Sequence, residues 1–215
     1  MARIKIKICG LFRAEDVEYV NAALPDYAGF VFAERSRRYV TPARARALRA
    51  GLDSRIVPVG VFADTDAALI ASLAEDGVVG AVQLHGRENE AFVREVKARV
   101  RVPVIKAIVM CAPDGTPKPP AAVLREAESA ADFLLFDSGA GTGEVFDWRA
   151  IPDMGKAFFL AGGLSVYNIK EAIASYAPYA ADISSGAETD GVKDREKILE
   201  LVRAVRESDG LISDR

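Results

Sequence analysis

Short apolar segments alternate with amphipathic segments along the whole chain of 215 residues. Eight runs rich in β-branched or aromatic residues are typical of buried strands, and each is followed by a stretch with helical character. Strands connected through helices pair in parallel, because each helix returns the chain to the edge where the previous strand began. The alternation therefore predicts one parallel sheet covered by helices.

The number of these units determines the predicted architecture. Eight units within 215 residues fit a single-domain (β/α)8 TIM barrel close to its minimum length. We assign the barrel to residues 1–207 and a polar tail to residues 208–215. The predicted strands are Ile4–Ile8, Ala28–Phe32, Val57–Phe62, Ala81–Leu84, Val104–Ile108, Phe133–Phe136, Phe158–Leu160 and Ala181–Ile183. The predicted helices begin near Ala14, Pro42, Thr65, Glu88, Pro120, Ser165 and Asp194, with a short helical turn near Trp148.

Local signals support several of these helix starts. Capping residues are expected at Thr41 (followed by Pro42), at Asp64-Thr65 and at Ser165. The Pro-rich segment 111–120 is interpreted as a long loop rather than a domain boundary, because strand–helix units continue on both sides of it.

The alternative architecture is an open, doubly wound sheet. A dinucleotide-binding sheet of that kind carries G-x-G-x-x-G directly after its first strand. Here the first strand runs into Cys9-Gly10-Leu11-Phe12-Arg13, and the chain also lacks the Walker phosphate-binding pattern. We therefore expect neither a nicotinamide cofactor nor ATP.

Charge and cysteine content exclude several classes of protein. The chain has 28 Lys and Arg against 31 Asp and Glu, whereas nucleic-acid-binding domains are usually strongly basic. Its two cysteines have no metal-ligand spacing, so we predict no metal site. The N-terminus lacks a signal-peptide core, and no apolar run approaches a membrane span. We expect a soluble cytoplasmic protein with no cofactor and no nucleic-acid or membrane partner.

In a barrel of this type the active site lies at the C-terminal ends of the strands. Gly162 and Gly163 follow the seventh predicted strand, and Ser184, Ser185 and Gly186 follow the eighth. These two adjacent loops are the usual phosphate site of such barrels, where backbone N–H groups face an anion. Two ordinary turns would use the same small residues. We predict a phosphorylated small-molecule ligand.

Two strand ends carry candidate acid–base groups. Cys9 ends the first strand beside Gly10, where it is either a small buried side chain or a reactive thiol. Asp137 follows an apolar strand and either braces its loop or acts as an acid with a raised pKa. Of the basic residues after the second strand, one that points inwards would bind a carboxylate through a bidentate pair.

The other polar groups at strand ends are open to more than one interpretation. His85, the single histidine, is a candidate general base but equally suits a residue that orients its neighbours. Gln83 and Asp182 also lie at strand ends and are candidate substrate-binding residues. Lys106 lies in the fifth strand.

At these positions the sequence resembles the phosphoribosylanthranilate isomerase family. The resemblance extends over nearly the whole chain. It rests on the order of the motifs along the chain more than on any single motif. The motifs are Lys7-Ile-Cys-Gly10, Gly29-Phe-Val-Phe32, Ser36-Arg-Arg-Tyr39, Val59-Gly-Val-Phe62, Val82-Gln-Leu-His-Gly86, Leu135-Phe-Asp137, Gly141-Thr-Gly143, Phe146-Asp-Trp148, Ala161-Gly-Gly-Leu164 and Asp182-Ile-Ser-Ser-Gly186-Ala-Glu188.

The resemblance implies a cofactor-free Amadori rearrangement in tryptophan biosynthesis. It places the catalytic base on Cys9, the catalytic acid on Asp137 and the recognition of the anthranilate carboxylate on Arg38. It places the phosphate loops on Gly162-Gly163 and Ser184-Ser185. On this assignment Cys9 would determine the acidic limb of a bell-shaped pH profile.

Related sugar-phosphate enzymes are the main alternatives. The histidine-pathway isomerase is expected to carry Asp in place of Cys9. Indoleglycerol-phosphate synthase relies on a set of Lys and Glu residues at strand ends, and Lys106 alone does not make that set. A non-catalytic phosphate-binding barrel would not need both Cys9 and Asp137. The oligomeric state, monomer or homodimer, is left open, as is acceptance of a second substrate.

Overall fold

Eight parallel strands close into a barrel in chain order, with the first strand pairing with the second and with the eighth. The computed structural model describes residues 3–112, 114–139, 147–152 and 155–208. The strands are β1 (Lys5–Cys9), β2 (Tyr27–Val31), β3 (Val57–Phe62), β4 (Ala81–Leu84), β5 (Val104–Val109), β6 (Phe133–Asp137), β7 (Phe158–Leu160) and β8 (Ala180–Ile183). The predicted (β/α)8 architecture is therefore confirmed.

Helices follow the strands and cover the outside of the barrel. They are α1 (Ala14–Ala23), α2 (Pro42–Gly51), α3 (Ala67–Glu75), α4 (Glu90–Arg99), α5 (Pro120–Ala127), α6 (Ile169–Tyr176) and α7 (Arg195–Ser208). The described part of the sixth connection contains the 3₁₀ turn Trp148–Ala150, as predicted. After β8 come a second 3₁₀ turn, Ser185–Ala187, and the short antiparallel strands β9 (Glu188–Thr189) and β10 (Val192–Lys193).

The predicted strands agree with the observed ones to within one residue at either end. Helix starts were predicted less well. The predicted cap Thr41 does accept a hydrogen bond from the Arg44 N–H, but α3 is capped by Asp66 rather than by Asp64-Thr65. Asp64 instead accepts a hydrogen bond from the backbone N–H of Arg87. This bond links the loops after β3 and β4.

The helix predicted from Ser165 also begins later than expected, at Ile169. Ser165 starts a turn in which Asn168 donates to the Gly163 carbonyl and accepts from the Ser165 N–H. At the C-terminus, Ser208 is the last residue of α7 rather than the first residue of a tail, because its buried hydroxyl donates to the Ala204 carbonyl. The rest of the predicted tail, 209–215, and the motif residues 141–143 and Phe146 lie outside the described residues.

Alternation along β1 positions the functional side chains. Ile4, Ile6 and Ile8 belong to the apolar layer between sheet and helices. The intervening Lys7 and Cys9 point into the barrel, where Lys7 bonds residues of β4 and β8. Below them the barrel interior is filled by an apolar cluster of Val59, Ala81, Ile105, Ala107, Leu135, Phe159, Ala161 and Ala180. Within the described ranges, no helix is long and apolar enough to cross a lipid bilayer.

Candidate active site at the mouth of the barrel

A cavity of about 360 Å³ opens at the C-terminal ends of the strands. We call it the mouth cavity, and ten of the eleven predicted site residues line it. These ten are Cys9, Arg38, Gln83, His85, Asp137, Gly162, Gly163, Asp182, Ser184 and Ser185. The structure thus brings together residues from β1, β4, β6 and β8 and from the loops after β2, β7 and β8.

Cys9 is a buried, unpaired cysteine at the floor of this cavity. Burial raises the pKa of its thiol, whereas the nearby ammonium groups of Lys7 and Lys193 lower it without cancelling the effect of burial. The cations therefore provide only part of the thiolate stabilisation that a base at this position requires.

Asp137 ends β6 and interacts with the imidazole of His85, whose Nε2 lies 3.2 Å from Asp137 Oδ2. Burial alone would raise the pKa of this carboxyl group. The His85 interaction and the backbone N–H groups of Gly139 and Ser138 outweigh burial, and the pKa lies below its ordinary value. Of the two interpretations that the sequence left open for Asp137, the raised pKa therefore does not apply to the substrate-free protein.

The hydrogen bonds around His85 define its tautomer. Lys7 Nζ donates to Gln83 Oε1 over 2.8 Å, which turns the Gln83 amide nitrogen towards His85 Nδ1 at 2.9 Å. An amide nitrogen only donates, so Nδ1 accepts and Nε2 carries the proton that points at Asp137. This geometry favours the orienting role of His85 over that of a general base.

Among the three arginines after β2, Arg38 is the one that lines the mouth cavity, as the sequence predicted for one of them. Its side chain crosses Gly10, where a Cβ would lie 2.3 Å from Arg38 Cδ, so glycine is required there. However, Arg38 Nε and Nη2 already bind both oxygens of Glu188, over 2.6 and 2.8 Å. The bidentate pair predicted for a ligand is thus made within the protein, and neither of these two bonds uses Nη1.

Glu188 gathers three cations at this edge of the cavity. Besides Arg38, it accepts bonds from Arg37 over 2.7 Å and from Lys193 over 2.7 Å. Burial would raise the pKa of Glu188, but hydrogen bonds from Arg38 and the charge of Lys193 bring it below its ordinary value. Three cations around one carboxylate leave an excess of positive charge next to the mouth cavity, which suits an anionic ligand.

The predicted phosphate loops lie where expected, with one exception. Gly162, Gly163, Ser184 and Ser185 border the mouth cavity, but Gly186 does not. A Cβ on Gly186 would lie 2.0 Å from the carbonyl oxygen of Leu164. Gly186 therefore permits close contact between the loops after β7 and β8, and its contact with a ligand stays a prediction.

Asp182 keeps one carboxylate oxygen without a partner. Its Oδ2 accepts from Lys7 over 2.7 Å, while Oδ1 is almost inaccessible to solvent and has no hydrogen-bond partner among the residues that the structure describes. Asp182 lines the cavity, and a ligand hydroxyl would donate to Oδ1 only after the groups that cover this atom moved.

Lys106 belongs to β5, but its side chain points away from the barrel interior. Its ammonium binds Glu88 over 2.9 Å and faces a larger cleft of about 1210 Å³ near α4 and α5. Neither Cys9 nor Asp137 lines that cleft. In the described part of the chain, no three His, Cys, Asp or Glu side chains are grouped so as to hold a metal ion.

Three polar residues of the site were not predicted: Lys7, Glu188 and Lys193. All are buried and charged. Lys7 could have been found, because a strand of a parallel barrel is covered on both faces and a lysine within it needs a partner. Lys193 gives no such signal, because it lies in a short strand outside the barrel. Its side chain is buried through its contact with Glu188.

Known proteins resemble this chain over nearly its full length. The family model described as N-(5'-phosphoribosyl)anthranilate (PRA) isomerase matches residues 6–204. An N-(5'-phosphoribosyl)anthranilate isomerase from Endomicrobium trichonymphae is 44% identical over 209 residues, covering 94% of this chain and 98% of the relative. The crystal structure of phosphoribosyl anthranilate isomerase from Thermus thermophilus superposes with a TM-score of 0.80 at 34% identity, covering 99% of this chain and 100% of the other.

A further solved structure contains a ligand. It is a phosphoribosyl anthranilate isomerase in complex with reduced 1-(o-carboxyphenylamino)-1-deoxyribulose 5-phosphate. It has a TM-score of 0.76 and 28% identity, and the match covers 95% of this chain and 99% of that one.

Proposed function

The chain belongs to the N-(5'-phosphoribosyl)anthranilate isomerase family, and we propose that Cys9 and Asp137 transfer the protons of its reaction. It is an isomerase of tryptophan biosynthesis that converts an aldose amine into a ketose amine within one molecule. The observation that carries the proposal is the mouth cavity, which is lined by a thiol, a carboxyl group, Arg38 and the Gly and Ser loops.

The two groups divide the chemistry between them. Protonated Asp137 gives its proton to the ribose ring oxygen, which breaks the bond from that oxygen to C1 and leaves a protonated Schiff base. The Cys9 thiolate then removes the proton from C2 and produces an enolamine. The enolamine gains a proton at C1 and loses one from its C2 hydroxyl to become the ketone. Exchange with water restores the starting protonation of Cys9 and Asp137.

The protonated form of Asp137 is favoured by the substrate itself. The free carboxyl group has a lowered pKa, because its bonds with His85 and the backbone outweigh burial. Substrate brings a phosphate and a carboxylate into the mouth cavity and displaces water. Negative charge and desolvation both raise the pKa of a carboxyl group. Binding therefore moves Asp137 towards the acid that ring opening requires.

The pH dependence of kcat/KM follows from the two pKa directions in the free protein. Turnover requires thiolate at Cys9, whose pKa is raised by burial, and acid at Asp137, whose pKa is lowered. At pH values below the Asp137 pKa, Asp137 is fully protonated and the fraction of Cys9 present as thiolate decreases as the pH decreases. At pH values above the Cys9 pKa, Cys9 is fully ionised and the fraction of Asp137 that is protonated decreases as the pH increases. We therefore expect a plateau with an acidic break from Asp137 and a basic break from Cys9.

The acidic limb still reflects loss of the Cys9 thiolate, as the sequence suggested, but the pKa of Asp137 sets the position of its break. Steady-state rates measured from acidic to basic pH on wild type and Cys9→Ala provide the test. In Cys9→Ala the requirement for thiolate is gone, so the residual rate should no longer fall at acidic pH and should decrease above the Asp137 pKa. A residual rate that still fell towards acidic pH, or that began to decrease only at the wild-type basic break, would contradict the assignment.

Arg38→Ala is expected to raise KM by about tenfold or more. It removes a charge-assisted bond to the substrate carboxylate of about 1.5–3 kcal/mol, and about 1.4 kcal/mol is a factor of ten in affinity. The fall in kcat should be much smaller, because the bond already exists in the ground state. The matched control is Arg35→Ala, since Arg35 is exposed on the same loop and does not line the cavity. An unchanged KM in Arg38→Ala would exclude Arg38 from recognition.

Conversion of fresh phosphoribosylanthranilate, followed by loss of anthranilate fluorescence, tests the function as a whole. We expect full activity of the purified protein in buffer treated with a chelator and without any added cofactor. Absence of turnover, or a requirement for added metal or nucleotide, would contradict the proposal. The oligomeric state, monomer or homodimer, stays a prediction.

A further inference from the structure

Lys7 lies at the centre of a buried polar chain that reaches both proton-transfer groups. Its side chain is fully buried, and its ammonium donates to Asp182 over 2.7 Å and to Gln83 over 2.8 Å. Cys9 is two residues further along β1, on the same inward face, and the charge of the Lys7 ammonium acts on its thiol. Two of the three N–H donors of the ammonium are directed to Asp182 and Gln83, and Cys9 is the next side chain on the same face of the strand.

The second half of the chain leads from Lys7 to Asp137. Because Lys7 holds the Gln83 carbonyl oxygen, the Gln83 amide nitrogen donates to His85 Nδ1 over 2.9 Å. His85 Nε2 then carries the proton and lies 3.2 Å from Asp137 Oδ2. If the Gln83 amide turned over, it would place two donors against each other at Lys7.

We propose that Lys7 is a positioning residue for both proton-transfer groups: its ammonium stabilises the Cys9 thiolate directly and, through Gln83, orients His85 towards Asp137. The inference deepens the proposed function and rests on it for the roles of Cys9 and Asp137. A buried lysine that only neutralised Asp182 would need neither the hydrogen bond to Gln83 nor a place beside Cys9 on the inward face of β1.

The charges around Cys9 indicate which cation matters most. Lys7 from β1 and Lys193 from β10 favour the thiolate, Asp182 from β8 disfavours it, and Arg38 also interacts with its charge. Lys193 is bound to Glu188 and to the Ser184 carbonyl. Lys7 lowers the pKa of the thiol more than Lys193 does, and its own pKa is raised, since Asp182 and Cys9 outweigh burial.

Two substrate-free measurements on Lys7→Met test the inference. The first is the pH dependence of Cys9 alkylation by iodoacetamide, followed by mass spectrometry in a Cys111→Ser background. The second is the imidazole ¹⁵N spectrum of the protein labelled at histidine, which is unambiguous because the chain has one histidine. Lys5→Met is the matched control, because Lys5 lies on the same strand but binds Asp26.

In Lys7→Met we expect the alkylation midpoint to rise by about one pH unit or more, which is the usual effect of losing an adjacent opposite charge. We also expect the His85 signals to change from the Nε2–H tautomer to a mixture of tautomers. Lys5→Met should change neither. A folded Lys7→Met protein that keeps either the wild-type midpoint or the wild-type tautomer would overturn the inference.

Removal of Lys7 leaves Asp182 as an unpaired buried charge, which can prevent folding. If Lys7→Met does not fold, the double variant Lys7→Met/Asp182→Asn is compared with the single variant Asp182→Asn. The same two measurements are made, and the same changes in midpoint and tautomer are expected. Neither measurement uses substrate. An inactive wild-type enzyme with the expected shifts would therefore refute the proposed function alone, and normal turnover without the shifts would refute the role of Lys7 alone.

Discussion

Cys9→Ala is expected to lower kcat by about 10²–10⁴-fold, the usual contribution of one positioned acid–base group. Alanine keeps a small apolar side chain at the floor of the mouth cavity, so the fold and the binding groups stay in place. KM should change little, because the thiolate acts on the C2 proton only in the transition state. Steady-state kinetics with the fluorescence assay measure both constants.

The chain provides a matched control for this variant. Cys111 is the other free cysteine and does not line the mouth cavity, so Cys111→Ala should keep the wild-type kcat. The variant His85→Ala tests whether His85, rather than Cys9, is the base. If Cys9→Ala retained nearly full kcat and His85→Ala abolished it, the base would be the histidine and the assignment of Cys9 would be wrong.

Asp137→Asn should lower kcat by a similar factor, about 10²–10⁴-fold. The side-chain amide retains an oxygen that can accept the His85 Nε2–H, so the position of the imidazole is preserved. It cannot deliver a proton to the ring oxygen, and the substrate should accumulate in its closed form. Single-turnover kinetics, which separate binding from chemistry, should show normal binding and a slow chemical step.

Asp64→Asn is the control for the loss of a strand-end carboxylate, because Asp64 follows β3 but does not line the mouth cavity. It should leave kcat at the wild-type value. A change of less than tenfold in Asp137→Asn would exclude Asp137 as the principal acid. The carboxyl group would then act as a partner that orients His85.

The fold could be predicted closely because its main determinant is local. Strand–helix alternation and apolar runs placed all eight strands within one residue of their observed ends. Helix starts such as those of α3 and α6 were less predictable, because several polar residues in each loop can cap a helix. Asp66 rather than Asp64 is selected because Asp64 is engaged by the loop after β4.

The residues that form the site were predictable for a different reason. Strand ends of a parallel barrel meet at one rim, so Cys9, Asp137 and the Gly and Ser loops had to lie near each other once the strands were known. Electrostatic properties were not predictable, because they depend on contacts distant in sequence. The lowered pKa of Asp137 comes largely from its contact with His85, and the guanidinium of Arg38 is already hydrogen-bonded to Glu188.

A crystal structure of this protein with reduced 1-(o-carboxyphenylamino)-1-deoxyribulose 5-phosphate tests the central claim most directly, because it locates both ends of the ligand and both proton-transfer groups. We expect the phosphate against Gly162-Gly163 and Ser184-Ser185, and the carboxylate on Arg38 Nη1. We also expect C2 within about 3–3.5 Å of Cys9 Sγ, the reach of a reactive contact. A ligand bound in the reverse orientation, or with C2 facing His85 and away from Cys9, would contradict it.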